Sequence, residues 1–129
     1  MTDIDKAAVY RHAATVIVRD GKREGQFFGP NGREGGGTAR PEAVGDTTLS
    51  VCAIGACVRA QYELYGTTYA SETDVFQDGY DNYAFDVKMP DGARCPSPDC
   101  DCGTNDNRNK SAEDIALLLK HQAEEVDQP

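Results

Sequence analysis

The continuous apolar run Val51–Val58, with the sequence VCAIGACV, decides the fold that we predict for this chain. It lies inside a predicted helix over residues 48–65, which ends at Gly66. Apolar residues fall on two sides of this helix, a pattern typical of a helix buried over more than half of its circumference. Asp46, Thr47 or Thr48 is the expected N-terminal cap, because short polar side chains accept hydrogen bonds from the first backbone amides.

Small residues in the same run predict a close helix crossing. Gly55 lies between Ala53 and Ala56, so a neighbouring element can approach the backbone here. We expect that element to be the last helix of the chain, near Ile115 and Leu119. Cys52 and Cys57 belong to the same run and are expected to pack as small buried hydrophobic side chains.

Two further helices are predicted on either side of the central one. The first covers residues 3–20, because apolar residues recur there at helical spacing and Gly21 follows the last turn. The second covers residues 111–126, with Ser111 as its cap and Asp114 three positions later. Both helices carry a single apolar stripe, as expected of helices that pack against a core on one side.

The remaining elements are short. We predict a small hairpin or sheet from strands at residues 26–28 and 83–89, the second one from its alternating apolar and polar residues. Residues 33–46 have no hydrophobic period and are predicted to form a mobile loop, and residues 70–78 form a short helix or an acidic loop. The fold class is therefore an α-rich α+β fold, with residues 1–129 as a single domain.

Negative charge is concentrated in one segment. The net charge is −9, and residues 63–106 hold 10 acidic side chains against only Lys88 and Arg94. This field opposes direct binding to nucleic acid, whose phosphates are bound by clustered Lys and Arg. No apolar run spans a bilayer and the N-terminus does not resemble a signal peptide, so we expect a cytoplasmic protein with no membrane partner.

Aromatic residues lie among these acids and suggest a protein-contact surface. Aromatic side chains are enriched at interfaces, and the surrounding carboxylates favour a partner with a basic surface. The residues that we expect to contact this partner are Asp74, Phe76, Asp78, Tyr80, Asp81 and Tyr83. They belong to an acidic, cysteine-containing segment over residues 67–103 that resembles an insertion.

The cysteines leave three alternatives open. Cys95, Cys100 and Cys102 lie close together and could hold a zinc ion with a fourth ligand from Asp99, Cys52, Cys57, His12 or His121. They could instead form a redox disulfide such as Cys95–Cys102, or remain free thiols, and no other cofactor is expected. A thiol enzyme that uses Cys52 with His12 or His121 is a further hypothesis, although the sequence has no catalytic signature.

Several short motifs resemble a domain-of-unknown-function family of small actinobacterial and actinophage proteins. They are Ala13–Ala14, the turn Gly29–Gly32, the run Val51–Ala56, Asn105–Asp106 and the helix start Ser111–Ile115. The resemblance covers residues 6–62 and 104–125. It implies a helical scaffold with a Cys-Ala-x-Gly-Ala central helix and a bacteriophage or mobile-element origin, and it brings no catalytic residues.

This sequence departs from the family pattern in two places. Residues 67–103 replace a region where the family usually has another helix, and the aromatic residue expected after the first helix's glycine is missing. Function is thus expected to lie in the segment that departs. The predicted function is a non-enzymatic protein-interaction or regulatory factor, and the alternative is a small zinc-stabilised module.

Overall fold

The fold is an α-rich α+β fold, as predicted, with five helices and a two-stranded antiparallel sheet among the residues that the structure describes. The structure is a computed structural model, and it describes residues 4–22, 27–29, 38–83 and 111–127. The helices are α1 (Lys6–Asp20), α2 (Pro41–Val44), α3 (Ala53–Tyr65), α4 (Glu72–Asn82) and α5 (Ala112–Asp127). The strands are β1 (Phe28–Gly29) and β2 (Ser50–Val51).

The central helix α3 is buried through most of its length, as the sequence predicts. Every residue from Val51 to Gln61 is buried, and the helix ends at Gly66, whose φ of 71° is left-handed. Glycine adopts this conformation without the steric cost that a Cβ atom brings, which explains the stop. Cys52 and Cys57 are both buried and reduced, so the expectation that they pack in the core is confirmed.

The predicted start of this helix is wrong. Helix α3 begins at Ala53, and its N-terminal cap is Cys52 rather than Asp46, Thr47 or Thr48. The preceding residues form β2, in which Val51 pairs with Phe28 and Ser50 pairs with Gly29. The apolar, β-branched Val51 fits a buried strand as well as a helix, so periodicity alone cannot separate the two over such a short stretch.

The predicted loop over residues 33–46 is also partly wrong, because Pro41–Val44 form the single turn α2. Proline stands at the first position of this turn, where its missing amide hydrogen costs nothing. Ala43 and Val44 are buried, which anchors a stretch that has no hydrophobic period. Packing against α3 therefore determines this turn, since a helix of four residues is too short to be stable in isolation.

Helix α1 lies at the centre of the helical layer and packs against both α3 and α5. It begins later than predicted, at Lys6, because Asp5 is the residue that accepts hydrogen bonds from the amides of Ala7 and Ala8. Its last turn contains Val16 and Ile17, which are fully buried. Burial of these two side chains offsets their weak helix propensity.

Helix α5 matches its prediction closely. The Ser111 hydroxyl accepts from the Asp114 amide at 3.1 Å, and the Asp114 carboxylate accepts from the Ser111 amide at 3.3 Å, which is the reciprocal capping pattern. However, α5 packs along α1 and does not make the predicted crossing at Gly55. A Cβ atom at Gly55 would lie 2.3 Å from the carbonyl oxygen of Phe27, so the segment before β1 makes the close approach.

Of the two predicted strands, the first overlaps β1, and the second lies almost wholly outside the described residues. Strand β1 overlaps the prediction at Phe28, whose amide and carbonyl also bond to Thr38. Strand β1 pairs with β2. Tyr83 closes α4, so it does not begin the second predicted strand, and residues 84–89 lie outside the described residues. A single domain over residues 1–129 stays a prediction.

Candidate partner-binding surface

Helix α4 holds the residues predicted to contact a partner. It begins after Ser71, whose hydroxyl accepts a hydrogen bond from the Asp74 amide at 3.2 Å. Glu72 and Asp74 lie in its first turn, where carboxylates interact favourably with the positive end of the helix dipole. The predicted alternative of a short helix or an acidic loop over residues 70–78 is thus resolved as a helix, and it extends to Asn82.

One side of α4 is exposed and acidic. Glu72, Asp74 and Asp81 are exposed, together with Thr73 and Gln77. Within the part of the chain that the structure describes, none of these three carboxylates has an ion-pair partner. Asp74 and Asp81 lie on this side, and we call these two residues the acidic face of α4; Glu72, two residues before Asp74, lies about 200° away around the helix.

Two of the predicted aromatic contacts, Phe76 and Tyr83, face inward instead. Tyr83 is only 1% exposed, and its ring lies edge-on to Tyr10 with centroids 5.7 Å apart. Phe76 is partly buried and packs edge-on against Phe27 at 5.0 Å. The side chain of Tyr80 lies outside what the structure describes. Of the six residues, Asp74 and Asp81 are therefore the ones that the structure places on the surface.

Asp78 has a different role from the exposed acids. Its carboxylate accepts hydrogen bonds from the Tyr69 hydroxyl, from the Asn82 amide and, at 3.3 Å, from the Gln61 side chain. These donors lie on α4, on α3 and on the loop between the two helices. Asp78 thus attaches α4 to the rest of the fold, although its spacing in the sequence places it next to Asp74 and Asp81.

Gln61 is the centre of this attachment. Its amide nitrogen donates to Asp78 and, at 3.2 Å, to the Thr67 hydroxyl, while its carbonyl oxygen accepts from the Tyr83 hydroxyl. Burial raises the pKa of the Tyr83 phenol, so Tyr83 stays protonated and remains a donor. We call this group the Gln61 cluster; it comprises Gln61, Thr67, Tyr69, Asp78, Asn82 and Tyr83.

A second buried polar group lies around Arg59, which is 0% exposed. Its Nε atom donates to the Val44 carbonyl, and its Nη2 atom donates to the carbonyls of Ala43 and Asp46. Its Nη1 atom donates to the Leu49 carbonyl at 2.8 Å and to the Asp20 carboxylate at 2.9 Å. All five guanidinium donors therefore have acceptors, which offsets the cost of burying the charge.

We call this group the Arg59 cluster; it comprises Arg59, Asp20 and the carbonyls of residues 43, 44, 46 and 49. Asp20 also binds Arg19, which reaches Glu63 at 2.8 Å. Burial opposes ionisation of Asp20, but the hydrogen bonds from Arg19 and Arg59 outweigh it and lower the pKa of this carboxyl. The sequence analysis missed this cluster, and only the position of Arg59 within an apolar helix could have signalled it.

The structure describes two of the five cysteines, Cys52 and Cys57. Cys95, Cys100 and Cys102 lie outside the described residues, so the predicted zinc site stays a prediction. Within the described ranges, no group of three or more His, Cys, Asp and Glu side chains could hold a metal ion. Cys52, one of the proposed fourth ligands, accepts a hydrogen bond from the Gly55 amide at 3.3 Å.

The two histidines bind carboxylates. The Nε2 atom of His12 lies 2.7 Å from Glu63, and that of His121 lies 3.2 Å from Glu125, one turn away on α5. Glu63 lies near the C-terminal end of α3, whereas Cys52 is at the N-terminal end of the same helix. His12 thus meets α3 about three turns away from Cys52, and the geometry provides no support for a dyad of these two residues.

Comparisons with known proteins give no relative. None of the helices in the described ranges is long and apolar enough to cross a membrane. No protein-family model matches the chain, and neither a curated protein nor a solved structure matches it.

Proposed function

We propose that this protein is a non-enzymatic interaction or regulatory factor that binds a protein partner with a basic surface. The acidic face of α4 carries this proposal, since its two carboxylates are exposed and have no ion-pair partner within the described residues. Exposed carboxylates can pair with cations of a partner. Complementary charge increases the association rate and selects the partner, and its effect falls with salt.

The charge distribution of the chain supports the same proposal. Residues 63–106 include α4 and have a net charge of −8, so the field around α4 attracts cations and repels nucleic acid. We further propose that the partner is met in the cytoplasm, and that the chain comes from a bacteriophage or another mobile element of an actinobacterium, as the resemblance of its short motifs implies.

A pull-down with a matched control tests the proposal. The double variant Asp74→Asn and Asp81→Asn removes two charges from the acidic face, and Glu113→Gln with Glu124→Gln removes two exposed charges from α5. We expect the first variant to lose, at low salt, a partner that the wild type and the second variant retain. We also expect 0.5 M salt to release this partner from the wild type. Binding that is insensitive to salt, or equal in the two variants, would contradict the proposal.

The second candidate function is a small zinc-stabilised module, because three cysteines lie within the eight residues 95–102. Thiolates at such short spacing can share one zinc ion, which would hold the segment in place. Native mass spectrometry of protein purified without chelators gives the test: a mass increase equal to one zinc ion supports this candidate. Metal-free protein, with an unchanged melting temperature after Cys100→Ser, contradicts it.

A further inference from the structure

Helix α4 needs the rest of the fold to stay helical. It has 11 residues, which is shorter than the roughly 12–15 residues at which an isolated helix becomes marginally stable in water. Gly79 lies inside it, and Asp74 and Asp78 stand four residues apart, where like charges repel. Its helical state therefore depends on the contacts that dock it against α3.

The apolar part of this docking is small. Val75 is fully buried, and Gly79 lets α4 approach the ring of Phe27 and the side chain of Ile54. A Cβ atom at position 79 would lie 2.7 Å from the ring and 2.8 Å from Ile54. Phe76 packs against Phe27, and the buried ring of Tyr83 packs against Tyr10. Among the described residues, the apolar docking of α4 and its cap thus consists of three side chains and a tight fit at Gly79.

The Gln61 cluster provides the polar part. Asp78 is the residue of α4 that joins this helix to α3 and to the connecting loop, because its donors are Gln61, Tyr69 and Asn82. Among the described elements, α4 makes its main packing contacts with α3, whereas α1 packs against both α3 and α5. Release of α4 would therefore leave the packing of α1 against α3 and α5 in place.

We propose that α4 is a separately opening unit: it undocks from α3 without global unfolding, and the Asp78 carboxylate sets how often it does so. Segments with few buried apolar contacts open locally at a lower free energy than the core. This inference concerns the free protein and does not rest on the proposed function. If both hold, undocking removes the acidic face of α4 from its fixed position and thereby controls access of the partner.

Native-state hydrogen exchange of the full chain, followed by mass spectrometry, tests this inference. In the wild type we expect amides of α4 to exchange at least tenfold faster than those of α1 and α3, at equal intrinsic rates. Asp78→Asn replaces one acceptor oxygen with an NH2 group, which must face either the Asn82 donor or the donors of Gln61 and Tyr69. It should therefore speed exchange in α4 about tenfold and leave α1 and α3 unchanged. Asp81→Asn removes the same charge from an exposed site and should change exchange in α4 less than twofold.

Two further variants keep the inference testable if Asp78→Asn does not fold. Tyr69→Phe removes one donor to Asp78 and should speed exchange in α4 about threefold. Gly79→Ala favours the helix but clashes with Phe27, so faster exchange in α4 would show that docking limits its opening. Exchange of wild-type α4 only through global unfolding, or an equal response of α1, α3 and α4 to Tyr69→Phe, would overturn the inference.

Discussion

Helix α3 sends two buried polar side chains to opposite sides of the fold, and they hold their surroundings in different ways. Arg59 and Gln61 are two residues apart, which places them about 200° apart around the helix. Arg59 binds mainly backbone carbonyls of residues 43–49, whereas Gln61 binds only side chains in the contacts that define its cluster. The first fixes a loop whose sequence has no hydrophobic period, and the second fixes the helix that carries the acidic face.

The two clusters should respond differently to substitution. A buried cation with five acceptors cannot lose its side chain without leaving several carbonyls unsatisfied in a buried region. A neutral amide leaves fewer groups unsatisfied, and its partners can be removed one at a time by substitution. We therefore expect substitution of Arg59 to cost a large part of the stability at once. Substitutions in the Gln61 cluster should lower the stability in smaller steps.

Arg59→Ala should have the largest effect on stability. We expect a loss of about 3–5 kcal/mol in the free energy of unfolding, because four carbonyls and Asp20 lose a buried partner. Urea denaturation measures this loss. Arg40→Ala removes the same charge from an exposed residue next to α2 and should change stability by less than about 0.5 kcal/mol. Similar losses of stability in Arg59→Ala and Arg40→Ala would show that the buried hydrogen bonds of Arg59 do not stabilise the fold.

Gln61→Ala should cost less, about 2 kcal/mol, because it leaves the Tyr83 hydroxyl and part of the Asp78 carboxylate unsatisfied. The same denaturation experiment gives the value, with the exposed Gln77→Ala on α4 as its control. A loss equal to that of Arg59→Ala would show that the two clusters are equally important for stability. In that case a neutral amide and a buried cation would not differ as the contacts indicate.

The Asp20–Arg59 pair should make stability depend on pH in the acid range. The pKa of Asp20 is lowered in the folded protein from its ordinary value of 3.8, so its contribution is complete above that value and is lost as the pH falls below it. At pH 7 we expect the free energy of unfolding of the wild type to exceed that of Asp20→Asn by about 1–2 kcal/mol. This difference should shrink as the pH falls toward 2. Thermal unfolding of both proteins from pH 7 to pH 2 measures the difference. An advantage that does not change with pH would contradict the assigned pair.

Thr67→Ala should have the smallest effect, about 0.5–1 kcal/mol, because it removes one acceptor of Gln61 and leaves the others in place. The neighbouring Thr68 is exposed and provides the control substitution to alanine. Denaturation of both variants should resolve a difference between them. Equal stability of the two variants would indicate that the Thr67 hydroxyl adds nothing to the attachment of α4.

The candidate surface was predictable only in part. Charge counting identified the segment that contains α4, and the cap at Ser71 is a local signal. Which of its residues are exposed was not predictable, because Asp74, Asp78 and Asp81 share one side of a helix by spacing alone. The donors that turn Asp78 inward come from Gln61 and Tyr69, and their arrangement depends on how α4 docks.

Features that depend on neighbouring residues were predictable from the sequence. Helical periodicity and the glycines after the last turns defined most of α1 and α3, the Ser111 cap defined the start of α5, and composition defined the acidic character of the region around α4. The tertiary structure decided the features that depend on distant backbone. It paired Val51 with Phe28, placed Phe27 against Gly55, and surrounded Arg59 with carbonyls of the 43–49 stretch. Every residue carries a backbone carbonyl, so no residue pattern marks which ones will meet a buried arginine.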